Sequence, residues 1–269
     1  MFLLYAALIV VLLIVGGWMG LRIWPRPFPT YEAPRPKFDT VPLPDNLPPP
    51  VERYFRATFG DEVPVIHSAV ITGRANLRLG PIPFLGRFRF THEAGQNYRH
   101  YIEATLFGRP LMKVNERYLD GVGRMELPVG VIDNDPKMNQ AANLGLWGES
   151  MWLPSIFLTD ARVRWEPLDD HSAYLIVPFE DEEETFTVHF DPRTGLFQRM
   201  EIMRWRDVKD TAKTRWILEP QGWVTFNGIK VPSPASATWE PDGKPWLICH
   251  VEDVAFNADV STYVRAHGL

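Results

Sequence analysis

The chain has 269 residues, a net charge of −5, 10 Trp, 16 Phe and one cysteine. The acidic balance argues against a nucleic-acid binder, which needs a dominant basic field, and a single cysteine excludes an intramolecular disulfide. The many aromatic residues favour strands and aromatic-lined cavities over a helical bundle.

Phe2 to Trp24 is apolar apart from Arg22. About 20 such residues cross the hydrocarbon core of a bilayer. Trp18 and Trp24 fall where interfacial aromatics belong, and Arg22 can snorkel. Nothing basic precedes the run and no small-residue cleavage site ends it, which predicts an uncleaved membrane helix over 1–24 rather than a signal peptide. Arg22, Arg26, Arg35 and Lys37 follow it, a bias that would leave the remainder in the cytoplasm. Residues 25–50 are rich in proline and end in Leu47-Pro48-Pro49-Pro50. They are expected to form an extended tether that spaces the following domain from the bilayer.

Residues 51–269 read as a single β-rich domain. Val51 to Gly60 is a short entry helix closed by glycine. Period-two alternation then predicts strands over Ala69–Leu79, Phe84–Thr91, Asn97–Leu106 and Pro110–Leu119, with a short one to Leu127. Met138 to Leu158 breaks the alternation. It is apolar nearly all round, with Asn139, Asn143 and Ser150 as a polar stripe, Gly145 and Gly148 for close approach, and Pro154 to kink or end it. Such a helix is buried. Strands are expected again over Arg162–Leu168, Ser172–Phe179, Thr185–Phe190, Phe197–Arg206, Arg215–Leu218, Gly222–Val231, Ala235–Glu240 and Trp246–Phe256. The predicted fold class is therefore α+β, mainly β: a large curved antiparallel sheet or half-barrel of about ten to twelve strands. A buried helix lies on its concave face, and an N-terminal transmembrane helix precedes it.

The hairpin from Glu184 to Leu196, with Asp191-Pro192-Arg193-Thr194-Gly195 at its turn, is similar to one common in the outer-membrane lipoprotein carrier and its relatives. Those are half-barrels with helices over a greasy cavity. The runs Gly86–Thr91, Glu103–Gly108, Lys113–Glu116 and Asn139–Leu144 resemble an uncharacterised bacterial family of unknown function. The carrier resemblance implies a hydrophobic ligand and an extracytoplasmic domain, and on that basis the domain is placed outside the membrane against the charge bias.

No catalytic motif is present. His92-Glu93 begins a His-Glu-x-x-His zinc motif, but Gln96 stands where the second His belongs, so no metal and no cofactor is expected. His67, His171, His189, His250 and His267 are scattered. Glu149 among Trp147, Met151 and Trp152 is the best candidate for an acid or base, with Glu116 as the second candidate. Phe88, Phe90, Asn115, Glu116, Asn139, Asn143, Trp147, Glu149, Met151 and Trp152 are the candidate ligand-binding set. Arg74, Arg78, Arg87, Arg89 and Arg99 fall on the polar faces of three strands. Arg74, Arg87, Arg89 and Arg99 are candidate contacts for anionic groups, with Glu103 and Glu52 as pairing partners. The function expected is a membrane-anchored, non-catalytic binding protein for a lipid or other hydrophobic molecule. The alternatives are an enzyme on a membrane-derived substrate using Glu149 or Glu116, and a scaffold for a protein partner.

Overall fold

The computed structural model describes residues 1–32 and 37–266; Arg35 and His267 lie outside the described residues. Helix α1 (Phe2–Gly20) is the one helix among the described residues long and apolar enough to cross a membrane, and it is not buried by the rest of the chain. Its last turn is docked. The Gly20 carbonyl accepts a hydrogen bond from Phe107 N at 2.8 Å, and a methyl group on Gly20 would meet the Phe107 and Leu106 side chains at under 3 Å.

The proline-rich segment departs from the expected spacer: its first part lies flat on the sheet. Arg74 stacks over the Trp24 ring at 5.2 Å and Arg87 over Phe28 at 4.2 Å, while the Arg26 carbonyl accepts from Arg87 Nη1 at 3.2 Å. Proline lacks an N–H, so this strap is held by rings on guanidinium groups.

Strand β1 (Thr40–Pro42) pairs antiparallel with β2 (Glu62–Pro64), and α2 (Pro49–Phe59) lies between them in sequence. Helix α2 buries Val51, Tyr54, Phe55 and Thr58, one stripe at helical spacing. A meander follows: β3 (Ser68–Leu79), β4 (Ile82–Glu93), β5 (Asn97–Leu106), β6 (Arg109–Leu119), β7 (Val122–Leu127) and β8 (Gly130–Asp133). Next come α3 (Pro136–Glu149), a 3-10 turn (Ser150–Trp152) and α4 (Ile156–Thr159). A second meander runs β9 (Arg164–Asp169), β10 (Ser172–Phe179), β11 (Glu182–Phe190), β12 (Phe197–Arg204) and β13 (Thr214–Pro220). The chain ends with a separate hairpin of β14 (Trp223–Phe226) and β15 (Ile229–Pro232), then β16 (Ala235–Trp239), β17 (Leu247–Phe256) and α5 (Ser261–Arg265).

The architecture is mainly β, as expected. Thirteen strands form one antiparallel sheet in the order β8-β7-β6-β5-β4-β3-β17-β16-β13-β12-β11-β10-β9. β17 joins the two meanders by pairing with β3 from Leu247↔Leu77 to Phe256↔Ala69. The sheet is one strand larger than the expected ten to twelve, and Gly222–Val231, expected as one strand, is instead the separate hairpin of β14 and β15. Asn227 and Gly228 both take positive φ, and a two-residue turn of that kind reverses the chain.

The long helix is also divided. Asp135 caps α3, its Oδ1 accepting from Lys137 N at 2.9 Å. The helix stops at Glu149 and the 3-10 turn carries the chain to Leu153, which has left the helical region at φ −126° and ψ 51°, as the clash of Pro154 with a helical predecessor requires. Every residue of α3 from Met138 to Gly148 is buried. Gly148 makes that depth possible. A Cβ there would stand 2.7 Å from Trp216 and 2.8 Å from Leu218 of β13.

Candidate functional site

Alternation along β4 and β5 points Phe88, Phe90 and His92, and Tyr98 and His100, at the concave face. Register pairs Phe90 with His100 and His92 with Tyr98, so the two histidines are diagonal neighbours. Glu149, the last residue of α3, reaches them. Its Oε2 is 2.7 Å from His100 Nε2 and 3.5 Å from His92 Nε2. Burial pushes the His92 imidazole below its usual pKa and keeps it neutral. Burial alone would raise the Glu149 carboxyl, but the facing imidazoles of His100 and His92 outweigh this and hold it low, as a carboxylate. Held low in this way, Glu149 has no proton to give near neutrality and is a weak base, which counts against the acid or base role expected of it.

A cavity of about 60 Å³ lies beside this group. Of the residues expected to bind ligand, it brings together Phe90, Glu116, Glu149, Met151 and Trp152, with His100, Arg204, Trp216 and Cys249 completing much of the wall. The Glu116 carboxylate accepts from Tyr98 OH at 2.5 Å, and Trp152 Nε1 donates to the Pro232 carbonyl at 2.9 Å. Phe88 is fully buried against Phe90 and Trp152. Asn115 is on the opposite face from Glu116, as neighbours on a strand must be, and accepts from Arg99. Asn139 holds Gly123 N, and Asn143 donates to the Pro178 carbonyl. Asn143 and Trp147 face a different, polar hollow of about 400 Å³ near Arg162 and Glu180. The concave face is thus occupied by α3 and its aromatic neighbours, with about 60 Å³ left over, far below the several hundred Å³ of a ligand pocket.

The arginines lie on the outer face and are engaged there. Arg74 bonds Glu252 at 2.5 Å and Arg87 bonds the expected partner Glu103 at 2.5 Å. Arg78 reaches Asp242 at 3.2 Å, and Arg89 stacks at 5.0 Å on Phe28. Arg99 lies over the Tyr263 ring of α5 at 4.7 Å. Glu52 pairs with Arg56, one turn on in α2, instead of with the arginines of the sheet, because it is four residues away on the same helix.

A larger space opens where α1 meets the sheet. It measures about 580 Å³ and is lined by Trp18, Leu21 and Arg22 from the helix end and by Leu77, Phe84, Leu85, Trp246 and Ile248 from the sheet, with Arg78 at its edge. Arg22 stacks on Trp18 at 3.7 Å. Sequence reasoning missed this cleft. Leu85 and Ile248 stand at outward positions, where an apolar side chain beside Arg87 or His250 on the same face was the available signal. It also set His92 aside on a helical spacing that does not apply to strands.

No curated protein matches this sequence. Among solved structures, the chain is similar to a LolA superfamily protein of Nitrosomonas europaea, with 11% identity over 78% of this chain and 92% of that one and a TM-score of 0.47. A DUF1329 family protein of Desulfovibrio piger gives 11% identity over 73% and 88%, with a TM-score of 0.43. A putative outer membrane lipoprotein-sorting protein domain of Vibrio parahaemolyticus gives 12% over 73% and 88%, at 0.41. These likenesses say nothing of a ligand. The family match is of another kind: it spans residues 37–249, from the middle of the proline-rich segment to β17 and across all four runs singled out in the sequence, and the chain belongs to the family of unknown function DUF6544.

Proposed function

We propose that the protein is a membrane-anchored, non-catalytic binding protein that takes up an apolar chain of a membrane lipid in the cleft between the end of α1 and the rim of β3, β4 and β17. The observation that carries this reading is the cleft itself. Its volume of about 580 Å³ is that of a small-molecule site, and its walls are mostly apolar. It begins at Trp18, in the part of α1 that belongs at the bilayer interface. Leu21, Phe84, Leu85 and Ile248 offer an acyl chain a surface, worth roughly 25 cal/mol per Å² buried. Arg22, held over Trp18, is placed for the lipid phosphate. Retention of α1 as an anchor is supported by its docking through Gly20 on the β5–β6 turn and by the strap that follows it.

The reading is tested with the full-length chain in phospholipid nanodiscs containing a lipid with a photoreactive acyl chain. Adducts on the peptides bearing Phe84, Leu85 and Ile248 are expected. Adducts confined to Phe2–Val15, where any membrane helix meets lipid, would sink the proposal.

A further inference from the structure

We infer that His92, His100 and Glu149 form a binding site for one divalent transition-metal ion of the zinc class. The three candidate ligand atoms are His92 Nε2, His100 Nε2 and a Glu149 carboxylate oxygen. The two nitrogens are 3.4 Å apart, and Glu149 Oε2 is 2.7 and 3.5 Å from them. A zinc ion binds nitrogen and carboxylate oxygen at about 2.0–2.2 Å in a tetrahedron, whose edges are then about 3.3–3.5 Å. Two of the three observed edges already match, and the third needs to lengthen by roughly half an ångström, within the reach of one carboxylate rotation.

The arrangement of the atoms points the same way. Glu149 Oε2 is buried and faces both rings at once, 2.7 Å from His100 Nε2 and 3.5 Å from His92 Nε2, so one oxygen and two nitrogens surround a common point. A core histidine satisfied by a neighbour would account for one imidazole; here two imidazole nitrogens and a carboxylate converge. Two nitrogens and one oxygen suit zinc or a neighbouring transition ion, whereas magnesium and calcium prefer all-oxygen shells.

The scaffold is rigid. His92 and His100 sit on paired strands, and Glu149 is placed by the close contact of Gly148 with β13. The cavity of about 60 Å³ is lined by His100 and Glu149, so a fourth position for water is at hand. One feature departs from common metal sites. His92 Nδ1 is buried without a partner, whereas a bound imidazole usually donates its other N–H. The inference is independent of the lipid cleft, which shares neither ligand atoms nor cavity with it.

The test uses the untagged full-length chain in detergent, stripped with chelator and dialysed against metal-free buffer. Cobalt(II) titrated into the wild type is expected to give the strong visible absorption of a tetrahedral site, saturating at one ion per chain and displaced by zinc. Zinc affinity measured calorimetrically is expected to fall at least about tenfold in each of His92→Ala, His100→Ala and Glu149→Gln. Cobalt absorption on the wild type needs no variant to fold. Its absence, or zinc uptake unchanged in all three folded variants, would overturn the inference.

Discussion

A methyl group at Gly148 would stand 2.7 Å from Trp216 and 2.8 Å from Leu218, closer than packed carbons approach. Gly148→Ala must push α3 off β13 or distort it, and overpacking of this kind costs about 1–3 kcal/mol. Urea unfolding should show the loss, and Glu149, the next residue, should shift with the helix. Trp152, stacked near Phe88 and Phe90 and bonded to the Pro232 carbonyl, presents the opposite case. Trp152→Ala opens a void in a packed wall, with an expected cost of about 3–5 kcal/mol. At this scale much was legible. The close approach expected at Gly145 and Gly148 is present, and the inward positions of Phe88, Phe90 and Tyr98 follow from alternation. That His92 and His100 point inward was legible by the same rule. That Glu149 meets them was not, because α3 is positioned by contacts distant in sequence.

Among the elements, the turn after α4 is clipped to the β4–β5 turn by Arg162, which an ion pair with Asp160 holds in place. Asp160 accepts from Arg162 Nη2 at 2.5 Å and from Arg162 N at 2.9 Å, while a second bond runs from Arg162 Nη2 to the Gly95 carbonyl at 2.7 Å. Burial alone would raise the Asp160 carboxyl, but the Arg162 guanidinium and backbone N–H outweigh it and hold the group below its ordinary value. A carboxyl that titrates lower when folded stabilises fully above its unfolded value near pH 4. That contribution is lost as pH falls through the folded value. Arg162 is about half exposed, so screening limits the pair to about 1 kcal/mol. Urea stability of wild type and Asp160→Asn should differ by that amount at pH 7 and converge as pH falls through the folded value. A difference that persists at low pH would show that the pair's charge is not what holds the turn. Most strands of the main sheet were legible from alternation because each has one wet and one dry face. β14 and β15 read as one strand because alternation continues on both sides of Asn227-Gly228, and only the turn chemistry separates them.

Across the molecule, the decisive pairing is β17 with β3, which joins residues near 250 to residues near 75. No local pattern announces it, so the half-barrel could be expected while its strand order could not. The strap was misread for a similar reason. Its prolines give an extended chain, but only the facing arginines on β3 and β4 decide that it lies on the sheet. Phe28→Ala removes the ring under Arg87 and Arg89. Urea stability should then fall by about 0.5–2 kcal/mol; unchanged stability would mean the rings do not hold the strap.

The lipid cleft is assembled at this largest scale, from the end of α1 and strands far apart in sequence. Its most direct test is native mass spectrometry of the full-length chain released from nanodiscs, wild type beside a Leu85→Trp/Ile248→Trp double variant that fills the cleft. One phospholipid retained per wild-type chain and lost from the variant is the result expected. A wild type that sheds all lipid, or a variant that holds it equally well, would contradict the account.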